Sequence, residues 1–358
     1  MGGMVTNEAL SIFKGKRVFV TGDTGFKGSW LGLWLSELGA DVVGFALPPE
    51  RKNDHFNEIS LDKVIKHVDG DIRDLAQLKR VVDEFQPEFL FHLAAQSLVR
   101  YSYDEPKLTF DTNIAGSVNI LEMVRTTPSL RSVIYVTSDK CYKNKEWIWG
   151  YRENDELGGR DPYSASKAAA EIVFSAYMTS FFEKQEGLGI ASVRAGNVIG
   201  GGDWALDRIV PDSIKALQAN QPIVLRNPSS TRPWQHVLEP LSGYLLLAAK
   251  LYDNPKEFLG AWNFGPGGES IRTVNDLSER IVSGWGKGEL KVNTEANAVH
   301  EARLLHLNCD KAQQSLNWHP RWDFDRAVDE TVAWYKRVFL GEPALDVSRQ
   351  QIKDYTEA

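Results

Sequence analysis

The chain has 358 residues, 42% hydrophobic and 25% charged, with a formal net charge of −7 and a pI near 5.6. This is the composition of a soluble globular protein with room for a large core in one domain or two. No basic run offsets the acidic total, which argues against a nucleic-acid-binding surface, and no apolar stretch approaches the roughly 20 residues that cross a bilayer. No signal peptide is visible, the two cysteines (Cys141 and Cys309) read as reduced thiols, and the seven histidines lack metal-ligand spacing. The expectation is a cytoplasmic protein that uses no metal.

Residues 17–20, Arg-Val-Phe-Val, read as a buried strand, and Thr21-Gly22 as the turn that reverses it. The stretch Gly22-Asp-Thr24-Gly25-Phe26-Lys27-Gly28 then opens an apolar helix over 26–38. Gly25 leaves room for a cofactor pyrophosphate to approach the backbone, and Gly28 lets the helix pack closely on the sheet. The free N–H groups and positive dipole end of that helix suit phosphate. Gly-x-x-Gly-x-x-Gly is a variant of the dinucleotide fingerprint. A second strand spans 41–47. No acidic residue stands at its end to hold a ribose, and Arg51 tolerates a 2′-phosphate, so these residues leave NAD and NADP both open.

Further on, helices are expected at 75–85, 113–125 and 165–184, and strands at 88–93, 132–138 and 189–194. This rhythm predicts an α/β fold, a Rossmann-type doubly wound parallel sheet covered by helices on both faces, with active residues at the carboxyl ends of strands. Beyond about Asn197 the pattern breaks into loops rich in Gly, Pro, Asn and Arg, and it turns sheet-like again at 260–264. The expected organisation is a cofactor-binding domain at 1–196 with returning segments near 236–266. A smaller interleaved substrate-binding lobe takes 197–235 and 267–340, and a C-terminal tail takes 341–358.

Tyr163-Ser-Ala-Ser-Lys167 places a phenol and an ammonium on one helical face, one turn apart. The lysine charge favours the phenolate and lowers the tyrosine pKa, so that the phenol can exchange a proton with a sugar hydroxyl. Tyr-x-x-x-Lys is a common chance spacing. Its place after a strand ending in Thr137-Ser138 gives it weight, since Ser138 can reach the same substrate oxygen. Pro162 suits the first turn of that helix.

Together these residues resemble the extended short-chain dehydrogenase/reductase family of nucleotide-sugar enzymes, from about Lys16 to Trp334. Asp71-Ile72 looks like the pair beside the adenine ring, and Leu93-Ala94-Ala95-Gln96 like the loop under the cofactor, with Asn113 opening the following helix. The stretch from Arg194 through Asn197 to Asp203 is similar to the family's substrate-contacting strand end, and Asn263-Phe-Gly-Pro266 to its late core motif. The resemblance implies NAD, held by Gly22, Thr24, Gly25, Phe26, Lys27, Gly28, Asp71, Ile72, Leu93, Ala94, Ala95, Gln96, Asn113, Tyr163 and Lys167.

The two residues after Ser138 separate reactions within that family. Dehydration at carbons 5 and 6 of a hexose needs two more proton-handling groups, which are Asp and Glu in the thymidine-linked 4,6-dehydratases. Asp139-Lys140 resembles the cytidine-linked branch and implies CDP-glucose as substrate. The implied cycle uses Tyr163, Lys167 and Ser138 at the carbon 4 hydroxyl, Lys140 as base at carbon 5 and Asp139 as acid at the carbon 6 hydroxyl. An enclosed lysine can have its pKa lowered enough to act as a base. A related epimerase or reductase leaves Asp139-Lys140 without a role; a cofactor-sensing protein needs the cradle but not Ser138, Tyr163 and Lys167.

Arg226 and Arg232 flank a segment similar to the family's nucleotide-binding loop, and Arg303 is a second candidate for the diphosphate, with Asn197 also at the substrate. Trp204, Trp234 and Phe264 could stack on a base, with core packing the default for each, and residues 145–149 are read as part of a lid. The resemblance implies a homodimer through the helices beginning near Asn113 and Pro162.

Overall fold

The computed structural model describes residues 9–293 and 304–358. Its centre is a seven-stranded sheet in which every pairing is parallel. The strands are β1 (Arg17–Thr21), β2 (Asp41–Ala46), β3 (Lys66–Asp69), β4 (Phe89–His92), β5 (Ser132–Val136), β6 (Gly189–Ala195) and, much later, β11 (Gly260–Phe264). Their spatial order is β11-β6-β5-β4-β1-β2-β3, so the winding reverses between β1 and β4. Outside the sheet, short strands pair in twos: β7 (Val198–Ile199) with β10 (Gln235–His236), β8 (Ile223–Leu225) with β13 (Leu290–Val292), and β9 (Thr231–Pro233) with β12 (Ile271–Thr273).

Thirteen α-helices are described: α1 (Phe26–Glu37), α2 (His55–Glu58), α3 (Leu75–Phe85), α4 (Val99–Asp104), α5 (Pro106–Phe110), α6 (Ser117–Arg125), α7 (Pro162–Ser180), α8 (Ile209–Gln218), α9 (Leu238–Asp253), α10 (Val274–Trp285), α11 (Asp310–Leu316), α12 (Phe324–Phe339) and α13 (Ala344–Glu357). Alternation along each strand sends side chains to opposite faces. Phe19, Leu90, Val133, Tyr135 and Ile190 pack under α3, α6 and α7. Val18, Val20, Phe89, Phe91, Ile134 and Val193 face α1 and α9. This second core runs on without a break into Leu277, Ile281, Val328, Val332 and Trp334 of α10 and α12, so the later segments share the sheet's own core. No described helix is long and apolar enough to cross a membrane, and no described group of three or more His, Cys, Asp or Glu could hold a metal ion.

Several boundaries differ from the sequence expectation, each for a local reason. The helix expected at 165–184 begins at Pro162, because Asp161 caps it by accepting the Ser164 N–H at 2.9 Å and proline fills its first position. Asn113 does not open a helix. The helical path starts at Pro106 and passes through a π-helical run, Asp111–Gly116, that carries Asn113 in its middle. Strand β5 stops at Val136, leaving Thr137 and Ser138 beyond its end. Residues 341–358, the C-terminal tail of the sequence reading, are mostly helical. Helix α13 buries Val347 and Tyr355 completely, and the Tyr355 hydroxyl donates to the buried Glu239 at 2.8 Å.

Candidate active site

The point where the winding reverses opens a crevice beyond the carboxyl ends of β1 and β4, the usual ligand position in a sheet of this kind. Here it is a cleft of about 1960 Å³, lined by the glycine loop, the ends of β2, β4, β5 and β6, the start of α7 and the loops around Arg208 and Arg226.

Glycines shape its first wall by necessity. Gly22 has φ +80°, and a Cβ there would stand 2.7 Å from the backbone nitrogen of Ala94. A Cβ on Gly28 would lie 2.0 Å from the carbonyl oxygen of Gly22. Only hydrogen at these two positions lets the β1 loop press against the β4 loop and α1 begin directly beneath it. The result is a helix N-terminus without a side-chain cap, pointing its N–H groups into the cleft. Thr24 donates to the Leu47 carbonyl at 2.9 Å, and Thr24, Gly25, Phe26 and Lys27 all line the space.

Asp71, Ile72, Leu93, Ala94, Ala95 and Gln96 line the same cleft. The Asp71 carboxylate is forked by the Arg73 guanidinium, which holds its pKa below the ordinary carboxylate value. Asn113 stands behind the cleft instead of in it. Buried to 1% exposure, it accepts the Gln96 N–H at 2.9 Å and donates to the Gln96 carbonyl and to Ser166, both at 2.9 Å. It therefore shapes the β4 loop and ties it to α7. Arg51 is paired with Glu50 at 3.1 Å and Asp54 at 3.7 Å, two carboxylates that already offset its charge.

The reactive groups meet on the opposite wall. Ser138 caps the single 3₁₀ turn Asp139–Cys141: its hydroxyl donates to Asp139 Oδ1 at 3.0 Å and accepts the Lys140 N–H at 3.3 Å. Asp139 is 4% exposed, and burial raises its pKa, opposed by the charge of Lys140, the Ser138 hydroxyl and the Lys27 ammonium. Lys140 is half-buried at the cleft wall.

Tyr163 and Lys167 are each 7% exposed and both line the cleft. The expectation that the lysine lowers the tyrosine pKa does not hold for the protein alone. Burial pushes the phenol up to about 12, while the Ser138 hydroxyl and the Arg208 cation pull it back. Helical spacing puts two side chains on one face but says nothing of how deeply that face is buried. Burial also brings the Lys167 ammonium down to about 8 and, with Arg208 and Lys167 nearby, Lys27 down to about 8. Asp139 thus faces two cations, Lys140 and Lys27.

Of the groups proposed for the substrate, Asn197, Arg226 and Arg232 line the cleft, whereas Arg303 lies outside the described residues. Asp207 sits between Arg226 at 3.4 Å and Arg100 at 3.1 Å, so a second arginine joins that rim. Trp204, Trp234 and Phe264 are 8%, 4% and 0% exposed, which makes all three core residues, though the two tryptophans also reach the cleft wall. Sequence reasoning passed over Arg208. It is held by Asp203 at 2.8 Å and aims its charge at Tyr163 and Lys27. Lys145 and Glu146 line the outer cleft, while Ile148 and Trp149 are 76% and 66% exposed.

The family model described as GDP-mannose 4,6 dehydratase matches residues 19–331. A CDP-glucose 4,6-dehydratase of Salmonella typhimurium is 49% identical over 352 residues, covering 97% of this chain and 98% of that protein. Among solved structures, an epimerase from Methanothermobacter thermautotrophicus superposes with a TM-score of 0.80 at 22% identity, over 97% of this chain and 98% of the other. A dTDP-glucose 4,6-dehydratase from Bacillus anthracis in complex with NAD gives 0.75 at 22% identity, over 92% and 99%. These two structures speak for the fold.

Proposed function

The chain belongs to the GDP-mannose 4,6 dehydratase family, and from that membership and the cleft we propose that it removes water from CDP-glucose to give CDP-4-keto-6-deoxyglucose, as a hydro-lyase that uses NAD catalytically. The observation that carries the reading is that Ser138, Asp139 and Lys140 share one cleft with Tyr163, Lys167 and the glycine cradle. The choice of nucleotide rests on the Asp139-Lys140 pair and on the 49% identical relative.

The residues fit NAD. The pyrophosphate suits the uncapped N-terminus of α1 at the glycine loop, and Asp71 and Ile72 suit the adenosine end. Arg51, already paired with two carboxylates, favours a ribose without a 2′-phosphate. When bound, NAD supplies a cationic ring that takes up a hydride from carbon 4 and returns it to carbon 6.

The chain's own groups handle the protons. Tyr163 accepts the proton of the carbon 4 hydroxyl, helped by the Ser138 hydroxyl and by the Lys167 and Arg208 charges. Tyr163 acts as acceptor in its phenolate form, after the phenol, pushed up to about 12 by burial, has given its own proton to solvent. Lys140 removes the carbon 5 proton, which a ketone at carbon 4 makes acidic, and returns a proton to carbon 5 once water has left and carbon 6 has taken the hydride. Asp139, whose pKa burial raises, gives a proton to the departing carbon 6 hydroxyl. Arg226 and Arg232 hold the substrate diphosphate and Asn197 contacts the substrate. We further infer a cytoplasmic homodimer through the surface of α4 to α7, supported by the exposed Tyr103, Phe110, Ile172 and Phe181. Incubation of the purified protein with NAD and CDP-glucose tests the reaction: the nucleotide sugar should lose the mass of one water with no net NAD consumed. Unchanged mass, or NADH formed in proportion to substrate, would overturn it.

A further inference from the structure

Directly behind the cleft lies a buried ion pair that the proposed chemistry does not use. Glu171 and Arg194 are 2% and 3% exposed and meet at 2.7 Å, with a second contact from Arg194 Nε at 3.0 Å. Glu171 also accepts from Ser192 at 2.9 Å and from the hydroxyl of Thr137. The remaining Arg194 nitrogen donates to the Tyr142 hydroxyl at 2.6 Å and the Glu153 carbonyl at 2.9 Å, and Tyr142 in turn donates to Asn263 at 2.8 Å. Every lone pair and N–H of consequence is used, the condition under which a buried pair can persist.

The pair joins three elements of the site. Glu171 lies one helical turn beyond Lys167 and two beyond Tyr163, on the same face of α7. Thr137 immediately precedes Ser138, and Arg194 is the last residue but one of β6, three residues before Asn197. One carboxylate thereby fastens the helix carrying the phenol and ammonium to the two strand ends carrying the other reactive groups.

We propose that the Glu171–Arg194 pair is a positioning device for the reaction: it sets Tyr163 and Lys167 against Ser138 and Asp139, and holds the Glu171 carboxylate one helical turn from the Lys167 ammonium. The proposal rests on the dehydration reading above. The groups facing Lys167 are Glu171 and Tyr163 on its own helix, Cys141 after β5, His92 at the end of β4 and Lys27 on α1. His92 is neutral, its pKa lowered to about 3 by burial, and Cys141 is a buried thiol whose pKa burial raises. Glu171 is the carboxylate among them. Burial raises its own pKa, but Arg194 overrides that and holds it below the ordinary value.

The test measures the protonation of Lys167 apart from turnover. Trace acetylation of the full chain with acetic anhydride across a pH series, read by mass spectrometry, gives the midpoint at which Lys167 becomes reactive. That midpoint should fall near 8 in the parent protein and about one pH unit lower in Glu171→Gln. In the same variant kcat for CDP-glucose should fall about 100-fold with KM within about threefold, because orientation is lost and binding is not. Glu171→Asp should restore the Lys167 midpoint. If Glu171→Gln does not fold, the neutral pair Glu171→Gln/Arg194→Met, which leaves no buried charge unpaired, should show the same shift and loss. An unmoved Lys167 midpoint in a folded variant, or a loss carried by KM alone, overturns the proposal. If the parent protein fails to dehydrate CDP-glucose, the functional reading falls, while the Lys167 midpoint still decides the positioning claim.

Discussion

A Cβ on Gly196 would stand 3.0 Å from Asp139 Oδ2. The end of β6 therefore presses against the carboxyl that we assign to protonating the leaving hydroxyl, and a bare backbone there fixes where that carboxyl sits. Gly196→Ala should push Asp139 aside by a few tenths of an ångström. We expect kcat to fall about tenfold or more with little change in melting temperature, since misplacement of a reacting group costs far more in rate than in stability. Unchanged kcat in the folded variant would show that Asp139 tolerates displacement.

Tyr163→Phe removes one hydroxyl from a buried site and leaves the ring. Loss of the proton acceptor at carbon 4 should cost about 10²–10⁴ in kcat. Folding should hardly change, because the ring keeps its packing and the Tyr163 backbone N–H keeps its bond to Ser102 at 3.2 Å. Steady-state kinetics and a thermal melt on the same preparation check both halves.

Lys140→Ala separates oxidation from elimination. Carbon 4 should still be oxidised, whereas the carbon 5 proton should no longer exchange with solvent. NMR of the sugar in D₂O reads this directly: deuterium enters carbon 5 with the parent protein and stays out with the variant. Wild-type exchange in the variant would assign the base elsewhere.

Lys27 carries a cost that pH can reveal. Burial lowers its pKa from 10.5 to about 8, so at neutral pH the folded state holds an ammonium that it disfavours. A lowered folded pKa gives stability that is present above the unfolded value and lost as pH falls through the folded one. Lys27→Met should therefore be more stable than the parent at pH 7, by about 1–2 kcal/mol once solvent in the cleft is allowed for. The difference should narrow between pH 8 and 10.5, as the parent lysine loses its proton in the folded state. Denaturant unfolding at several pH values measures it.

The cofactor half was legible because its signals are local. Strand β4 is a short apolar run before a loop, and the glycines that shape the cradle announce themselves by spacing. Much of the later chain gave no such signal. Helix α9 is buried on nearly every side, from Leu238 to Leu251, so it shows no amphipathic period to read. Strand β3, Lys66–Asp69, is short, polar and only half covered. Within the site, residue types and their order were readable, but depth was not: the Tyr163 pKa and the place of Asn113 behind the cleft both depend on burial. Glu171 had a usable signal, a carboxylate one turn past Lys167 on a face already assigned to chemistry. Arg194 stood in a segment read as a substrate-contacting strand end, but its pairing with Glu171 spans 23 residues and was not readable; Arg208 had no signal, because its partner Asp203 lies in an irregular loop.

The central claim is an internal redox elimination, and the most direct measurement tracks a label through it. Purified protein with NAD and CDP-glucose deuterated at carbon 4 should yield a product one water lighter, with the deuterium now on carbon 6. Product with deuterium lost to solvent, deuterium retained at carbon 4, or no loss of water at all would contradict it.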